Sequence, residues 1–183
     1  MTATSLFGDP MLVTAGSAAL ALVLLIAVLH KLGDREAFES AIVRYRLLPA
    51  GAAAAVSVAL ILAELALAAG LLVPAIRPWA LMGTAGLLAL YALAMAANLL
   101  RGRRTIDCGC GGPGQPVSWA LVVRNLVLGA VALGCSGPLG ERSINWHDRL
   151  EMVLITIGLL ALYLMADELL RQAGRLADLR RTD

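Results

Sequence analysis

The sequence predicts an all-α integral membrane protein, a bundle of four to five transmembrane helices with one amphipathic helix lying at the interface. Three observations predict it. Of the 183 residues, 60% are hydrophobic and only 15% charged, with a mean hydropathy of +0.80, outside the balance of a soluble globular domain. The apolar residues gather in runs of about 20, the length that carries about 1.5 Å of rise per residue across about 30 Å of hydrocarbon. Those runs are continuous instead of alternating, which excludes the strands of a lipid-facing barrel. They use up residues 1–170 as a single helical-bundle domain and leave a charged tail at 171–183.

The first span runs from Met11 to about His30 and starts after Pro10, a residue suited to the first turn of a helix. The opening MTATSLFGDP has no basic leader and no small-residue cleavage site follows the first run, so this span is read as a retained helix, with Lys31 marking the interface. From Asp34 to Leu48, the apolar residues Phe38, Ala41, Ile42, Tyr45 and Leu48 recur at helical spacing among Arg35, Glu36, Glu39, Arg44 and Arg46. That pattern predicts the amphipathic helix, capped by Asp34, with Phe38 and Tyr45 as interfacial anchors. Pro49 ends it. The second span covers about 50–73 with Glu64 near its centre, and a turn from Pro74 to Pro78 leads to the third, about 79–100. Trp79 suits the interface there, and Gly83, Gly86 and several alanines permit close packing.

Next comes RGRRTIDCGCGGPGQP, residues 101–116, too rich in glycine and proline to lie in lipid, so it belongs at a membrane surface or folded against protein. The fourth span, about 117–135, carries Arg124 and Asn125 roughly two turns inside its start. A polar loop through Trp146 and His147 precedes the fifth, about 150–170, whose uninterrupted apolar part is only Met152 to Ala166. With the N-terminus outside, Lys31, Arg35, Arg44, Arg46, Arg101, Arg103, Arg104, Arg171, Arg175, Arg180 and Arg181 fall inside, against Arg77, Arg142 and Arg149 outside. The positive-inside rule therefore puts this multi-pass protein in the cell membrane with residues 101–116 on the cytoplasmic side. The net charge of +2 offers no basic surface to nucleic acid.

The reactive candidates are Cys108 and Cys110. Two cysteines separated by one glycine can close a very small disulfide ring, and glycine permits the backbone angles that this needs. Such a ring is strained, which raises its reduction potential and makes it an exchangeable oxidant instead of a staple. Arg101, Arg103 and Arg104 favour a nearby thiolate and Asp107 opposes it. A metal site would want four ligands, and only Cys135, His30 and His147 stand in reserve, so no metal is expected. A structural Gly-rich turn is the plainer alternative. Cys135, the third cysteine, falls near the far end of the fourth span and reads as a small buried apolar residue. Glu64 in mid-membrane must be neutral or paired, and Arg124 with Asn125 are the partners that the sequence suggests. These three residues would either line a proton or quinone-headgroup site or clamp the second span to the fourth. Tyr91 and Tyr163 read as packing.

HKLGDREAFESAIVRYRLLP after the first span, Glu64 in the second, DCGCGG after the third and Arg124-Asn125 in the fourth together resemble the methylamine-utilisation MauE family, within the wider DoxX-like group of small membrane proteins. The likeness covers about residues 11–135 and departs from the family's pattern at Gly111, where an aromatic residue is expected. The resemblance implies a redox-associated membrane protein that assists disulfide formation or maturation of exported proteins, with a thioredoxin-like protein or another thiol-containing client as partner. Such clients lie outside the cell, whereas the charge count places the loop inside. The reading is thus a thiol-disulfide oxidoreductase, or its electron-relay subunit, with Cys108 and Cys110 as the exchanging pair and quinone as a candidate acceptor. Its rivals are a non-catalytic scaffold that docks a partner through the Cys-Gly-Cys loop, and a small transporter using Glu64 as an ion site.

Overall fold

The structure, a computed structural model, describes residues 8–103, 106, 108, 109, 115–140 and 145–182, with the backbone alone at residue 50 and at 174–182. The described residues form helices α1 (Pro10–Gly33), α2 (Arg35–Tyr45), α3 (Ala53–Leu72), α4 (Arg77–Leu100), α5 (Trp119–Gly134) and α6 (Trp146–Thr182). Four of them, α1, α3, α4 and α6, are long and apolar enough to cross a membrane.

Local chemistry sets the helix ends. The Asp9 carboxylate accepts from the Met11 N–H at 2.8 Å, and Pro10 opens α1 where its missing N–H costs nothing. Asp34 closes α1 through its backbone N–H to the His30 carbonyl, and its side chain caps α2 by accepting from Ala37 N–H at 3.0 Å. One residue thereby turns the chain from the bundle axis into α2. At the end of α4, Gly102 takes φ +75, its N–H bonds Leu99 C=O, and Arg103 N–H reaches back to Asn98 C=O. This is the paired closure that a left-handed glycine allows, and it stops α4 just before the cysteine loop.

α1 packs on α3 and α6, α4 on α5 and α3, and α2 on α3. Two large apolar cores result, beside a smaller cluster of Val28, Phe38 and Ile61. One lies toward the start of α1, where Val13, Leu20 and Leu24 meet Leu71, Leu81 and Ala132. Cys135 packs against this core, at the end of α5 away from the cysteine loop, as the sequence reading has it. The other core lies at the loop end and joins Met95 and Leu99 of α4, Leu121 and Val122 of α5, and Ile106, Cys108 and Val117 of the loop. Near the first core the buried Arg77 binds α4 to its neighbours, donating from Nη1 to Thr14 Oγ1 at 2.9 Å and from Nε to Leu71 C=O at 3.3 Å.

The last two spans differ from the sequence reading. The fourth, expected over 117–135, is helical for only 16 residues, about 24 Å and short of the hydrocarbon thickness. Gln115 and Val117 are instead paired through their backbones with Cys108 and Ile106, so the chain enters α5 already packed against protein. The fifth, expected over 150–170, belongs to a helix of 37 residues, the longest of the six described. Its start is fixed by the Asp148 carboxylate, which accepts from Asn145 N–H at 2.7 Å, half of a reciprocal capping box. Past Ala166 the polar residues do not break it, because Asp167 is paired with Arg124.

Small residues let α3 and α4 approach closely. A Cβ on Gly70 would stand 3.0 Å from the Ala80 Cβ, with no flexible side chain there to yield. Gly70→Leu is expected to destabilise the bundle by about 1–3 kcal/mol, the usual cost of overpacking. The check is the thermal midpoint of the detergent-solubilised chain, which should fall, whereas Gly86→Leu, with nothing within 4 Å of its Cβ, should leave it near the parent value.

Candidate functional site

Lys31 and Glu64 are the least expected pair in the molecule. Lys31 stands near the end of α1 and Glu64 in mid-α3, and their side chains are 2% and 1% exposed. Lys31 Nζ donates to Glu64 Oε1. Tyr91 of α4 donates its hydroxyl to the same oxygen at 2.7 Å and lies 3.4 Å from Lys31 Nζ. The ammonium is also boxed by two rings, with centroids of Phe38 at 5.2 Å and Tyr91 at 5.1 Å. Glu64 Oε2 has no hydrogen-bond partner among the described residues. An unpaired charge at this depth would be very costly, so the cation and carboxylate need one another.

The sequence reading pairs Glu64 with Arg124 and Asn125, and the structure corrects it. Arg124 instead donates through Nη1 to Asp167 Oδ1 of α6, and its guanidinium lies over the Tyr163 ring at 5.6 Å. Gln115 Nε2 donates to the same carboxylate oxygen at 3.3 Å, tying the exit of the cysteine loop to α6. Asn125 is buried, and its Nδ2 finds no partner among the described residues. The polar groups therefore make two centres: Lys31, Glu64 and Tyr91 among α1, α3 and α4, and Gln115, Arg124 and Asp167 between the loop, α5 and α6. Lys31, read as an interface marker, and Tyr91, read as packing, are members of the first. The missed signal was arithmetic: a carboxylate in mid-span needs a cation, and Lys31 is the nearest one at the end of a neighbouring run.

Cys108 lies between these centres. It is 6% exposed, and its Sγ stands 3.7 Å from Met95 Sδ. Its backbone is pinned on both sides. The Cys108 N–H donates to Gln115 C=O at 2.8 Å, Val117 N–H donates to Ile106 C=O at 2.9 Å, and the Tyr45 hydroxyl donates to Cys108 C=O at 3.2 Å. The following Gly109 takes φ +70, where a side chain would be strained, and its missing Cβ would lie 3.3 Å from the Phe38 ring and 3.5 Å from the Ala41 Cβ. α2 is thus amphipathic as read, but its apolar face corrects the expectation for Phe38 and Tyr45. They cover the cysteine loop instead of anchoring in lipid. Cys110, the other half of the pair, lies outside the described residues, as do Asp107 and Arg104.

Between α2, α3, α4 and the loop lies a cavity of about 270 Å³, with Lys31, Tyr91 and Cys108 on walls that are otherwise almost wholly apolar, among them Phe38, Ile42 and Leu60. Arg124 and Asn125 do not line it.

Comparison with known proteins agrees with the resemblance in the sequence. The pattern of the family described as Methylamine utilisation protein MauE matches residues 9–137. The chain is 45% identical over 133 residues to the Methylamine utilization protein MauE of Paracoccus versutus, and equally so to that of Paracoccus denitrificans, with 72% of each chain covered in both cases. To the protein of the same name from Methylophilus methylotrophus it is 33% identical over 169 residues, covering 89% of this chain and 88% of the relative. No solved structure matches the chain.

Two outcomes follow from this geometry. Lys31→Met should cost about 3–5 kcal/mol by stranding Glu64, and the double variant Lys31→Met/Glu64→Leu should recover most of it, read as thermal midpoints in detergent. Gly109→Ala should cost about 1–2 kcal/mol from its left-handed backbone and push Phe38 away. It should therefore speed the reaction of Cys108 with a small maleimide in a variant whose other two cysteines are replaced by alanine.

Proposed function

This chain belongs to the MauE family of methylamine-utilisation proteins, and from that premise we propose that it is a membrane thiol-disulfide redox protein. Cys108 and Cys110 exchange electrons with a thiol-bearing client, a thioredoxin-like protein or a protein whose disulfides are being formed. The observation that carries the reading is how Cys108 is held. Its own N–H and C=O and the carbonyl of Ile106 are bonded, glycine follows it at positive φ, and its sulfur is buried beside Met95. A Cys-Gly-Cys ring closes only with strain, and strain makes an exchangeable disulfide if the surroundings fix the backbone in the required shape. The burial of Cys108 also weighs against the scaffold reading, since a turn that docks a partner presents its side chains to solvent.

The described residues at the loop end include Arg35, Arg44, Arg46, Arg101 and Arg103, whereas Arg77 at the opposite end is buried and bonded. With Lys31 withdrawn from the count as a buried partner of Glu64, the charge asymmetry still supports a cytoplasmic loop.

The test uses a Cys135→Ala chain that keeps Cys108 and Cys110, labelled in cells with a membrane-impermeant maleimide. Labelling is expected only after both permeabilisation and reduction. Labelling after reduction alone would place the disulfide outside. Cys108→Ser should abolish client oxidation while leaving membrane insertion intact, and unchanged oxidation in that variant would defeat the redox reading.

A further inference from the structure

We infer that the cavity between α2, α3, α4 and the cysteine loop binds the headgroup of a lipid-soluble quinone, the electron acceptor of the dithiol. The inference rests on the thiol-disulfide reading above and names the substrate of the same site. Four features of the cavity point to this ligand class.

Its volume of about 270 Å³ admits a single substituted ring. The rim residues Leu47, Leu48 and Leu90 are 41%, 47% and 53% exposed, so the opening is apolar and a hydrocarbon tail can run out along it. Inside, Lys31 Nζ and the Tyr91 hydroxyl lie 3.4 Å apart on one wall, while the other lining tyrosine, Tyr45, spends its hydroxyl on Cys108 C=O. Lys31 has more donors than Glu64 alone uses, and a carbonyl oxygen is the acceptor that suits them. Behind these two, the buried Glu64 Oε2 has no partner among the described residues, a place to hold a proton that is then delivered through Tyr91 or Lys31 to a ring oxygen as the quinone is reduced. Finally, Cys108 lines the same space, so the reacting ring and a member of the dithiol share one water-poor chamber. A lipid acyl chain would fill the apolar walls but offer no acceptor to the Lys31 donor that Glu64 and Tyr91 leave over.

The step balances without another reactant. The S–H bonds of Cys108 and Cys110 break and one S–S bond forms. The dithiol is oxidised by two electrons, the quinone is reduced by two, and two protons finish on the quinone oxygens as a quinol. A client dithiol then reduces the Cys108-Cys110 disulfide by exchange and is itself oxidised. Arg124 and Asn125, which the sequence places beside Glu64, take no part, because Arg124 is committed to Asp167 and neither residue lines the cavity.

The experiment uses the full chain in lipid nanodiscs, reduced without oxygen and mixed with decylubiquinone, with quinol formation followed by absorbance. In parallel, a photoreactive azidoquinone is crosslinked to the chain and the modified peptides are mapped. One quinol per chain is expected, with crosslinks on α2, α3 or α4 residues that line the cavity. Leu60→Trp, which fills the space, should raise the quinone KM about tenfold. The crosslink decides the matter even if that variant does not fold. A parent chain that exchanges with glutathione disulfide but forms no quinol and carries no crosslink in the cavity overturns the inference and leaves the thiol reading standing. Crosslinking displaced equally well by a saturated fatty acid marks a lipid groove and also overturns it. A chain that neither exchanges with a disulfide nor reduces the quinone removes both together.

Discussion

The Lys31–Glu64 pair is the constraint from which the arrangement around the cysteine loop follows. It joins the end of α1 to the middle of α3 where neither charge has access to water. Lys31 must therefore turn inward, and the chain immediately after it is reversed by Asp34, which ends one helix and begins the next. α2 is thereby laid back over the bundle. Phe38, one turn into α2, touches both consequences: its ring faces the Lys31 ammonium and closes on Gly109. Glu39 on the same helix accepts from Ser57 Oγ at 3.2 Å, a second tie to α3. A single buried cation thus positions the helix that positions the loop. An apolar pair of similar volume would join α1 to α3 without the desolvation cost of two charges. Stability alone does not account for the ion pair, whose Lys31 lines the cavity.

The loop is braced from its other side by a second ion pair. Gln115 and Arg124 both bond Asp167, so the exit of the loop, α5 and α6 meet at one carboxylate. Cys108 sits between the two polar centres in an apolar cluster that contributes no charge of its own. The family match ends at residue 137, so Lys31, Glu64, Tyr91, Cys108 and Arg124 lie within it and Asp167 lies beyond. Cys135 is at the far end of α5, separated from the loop by a helix of about 24 Å. That separation keeps it out of direct exchange with Cys108 and assigns it to the packing of the opposite core.

The membrane helices were legible in the sequence because their signal is one of composition and length, which survives any arrangement in space. Glu64, Arg124 and Asn125 were legible as costly residues for the same reason. Their partners were not. A lysine that closes an apolar run reads as a snorkelling side chain, since its long stem normally carries the ammonium to the interface. Only the fold reveals that Lys31 points the other way. Asp167 was hidden because it follows the last uninterrupted apolar stretch and looks like the start of a tail. The amphipathic period of α2 was visible, but periodicity reports an apolar face without saying whether lipid or protein covers it. Here Phe38, Ala41 and Tyr45 are set against the cysteine loop. The start of α5 was placed early because Val117 is apolar enough to extend a run, while its backbone N–H is already engaged by Ile106.

The proposed chemistry asks the protein to join two phases that do not mix. A quinone arrives from the hydrocarbon and a protein thiol from water, and no single exposed cysteine serves both. Burial of Cys108 beside an apolar chamber suits the first encounter, and the same burial denies it the second. A second cysteine two residues further along resolves the conflict, because electrons can pass between the two sulfurs as a bond forms and breaks, with no need for Cys108 to leave its seat. The short spacing then follows from the geometry. With the Cys108 backbone pinned by Gln115 and Tyr45, and α2 pressed against the next residue, only a partner within reach of a fixed sulfur can close the ring. Glycine is the one intervening residue that both the positive φ and the contact with Phe38 accept without strain.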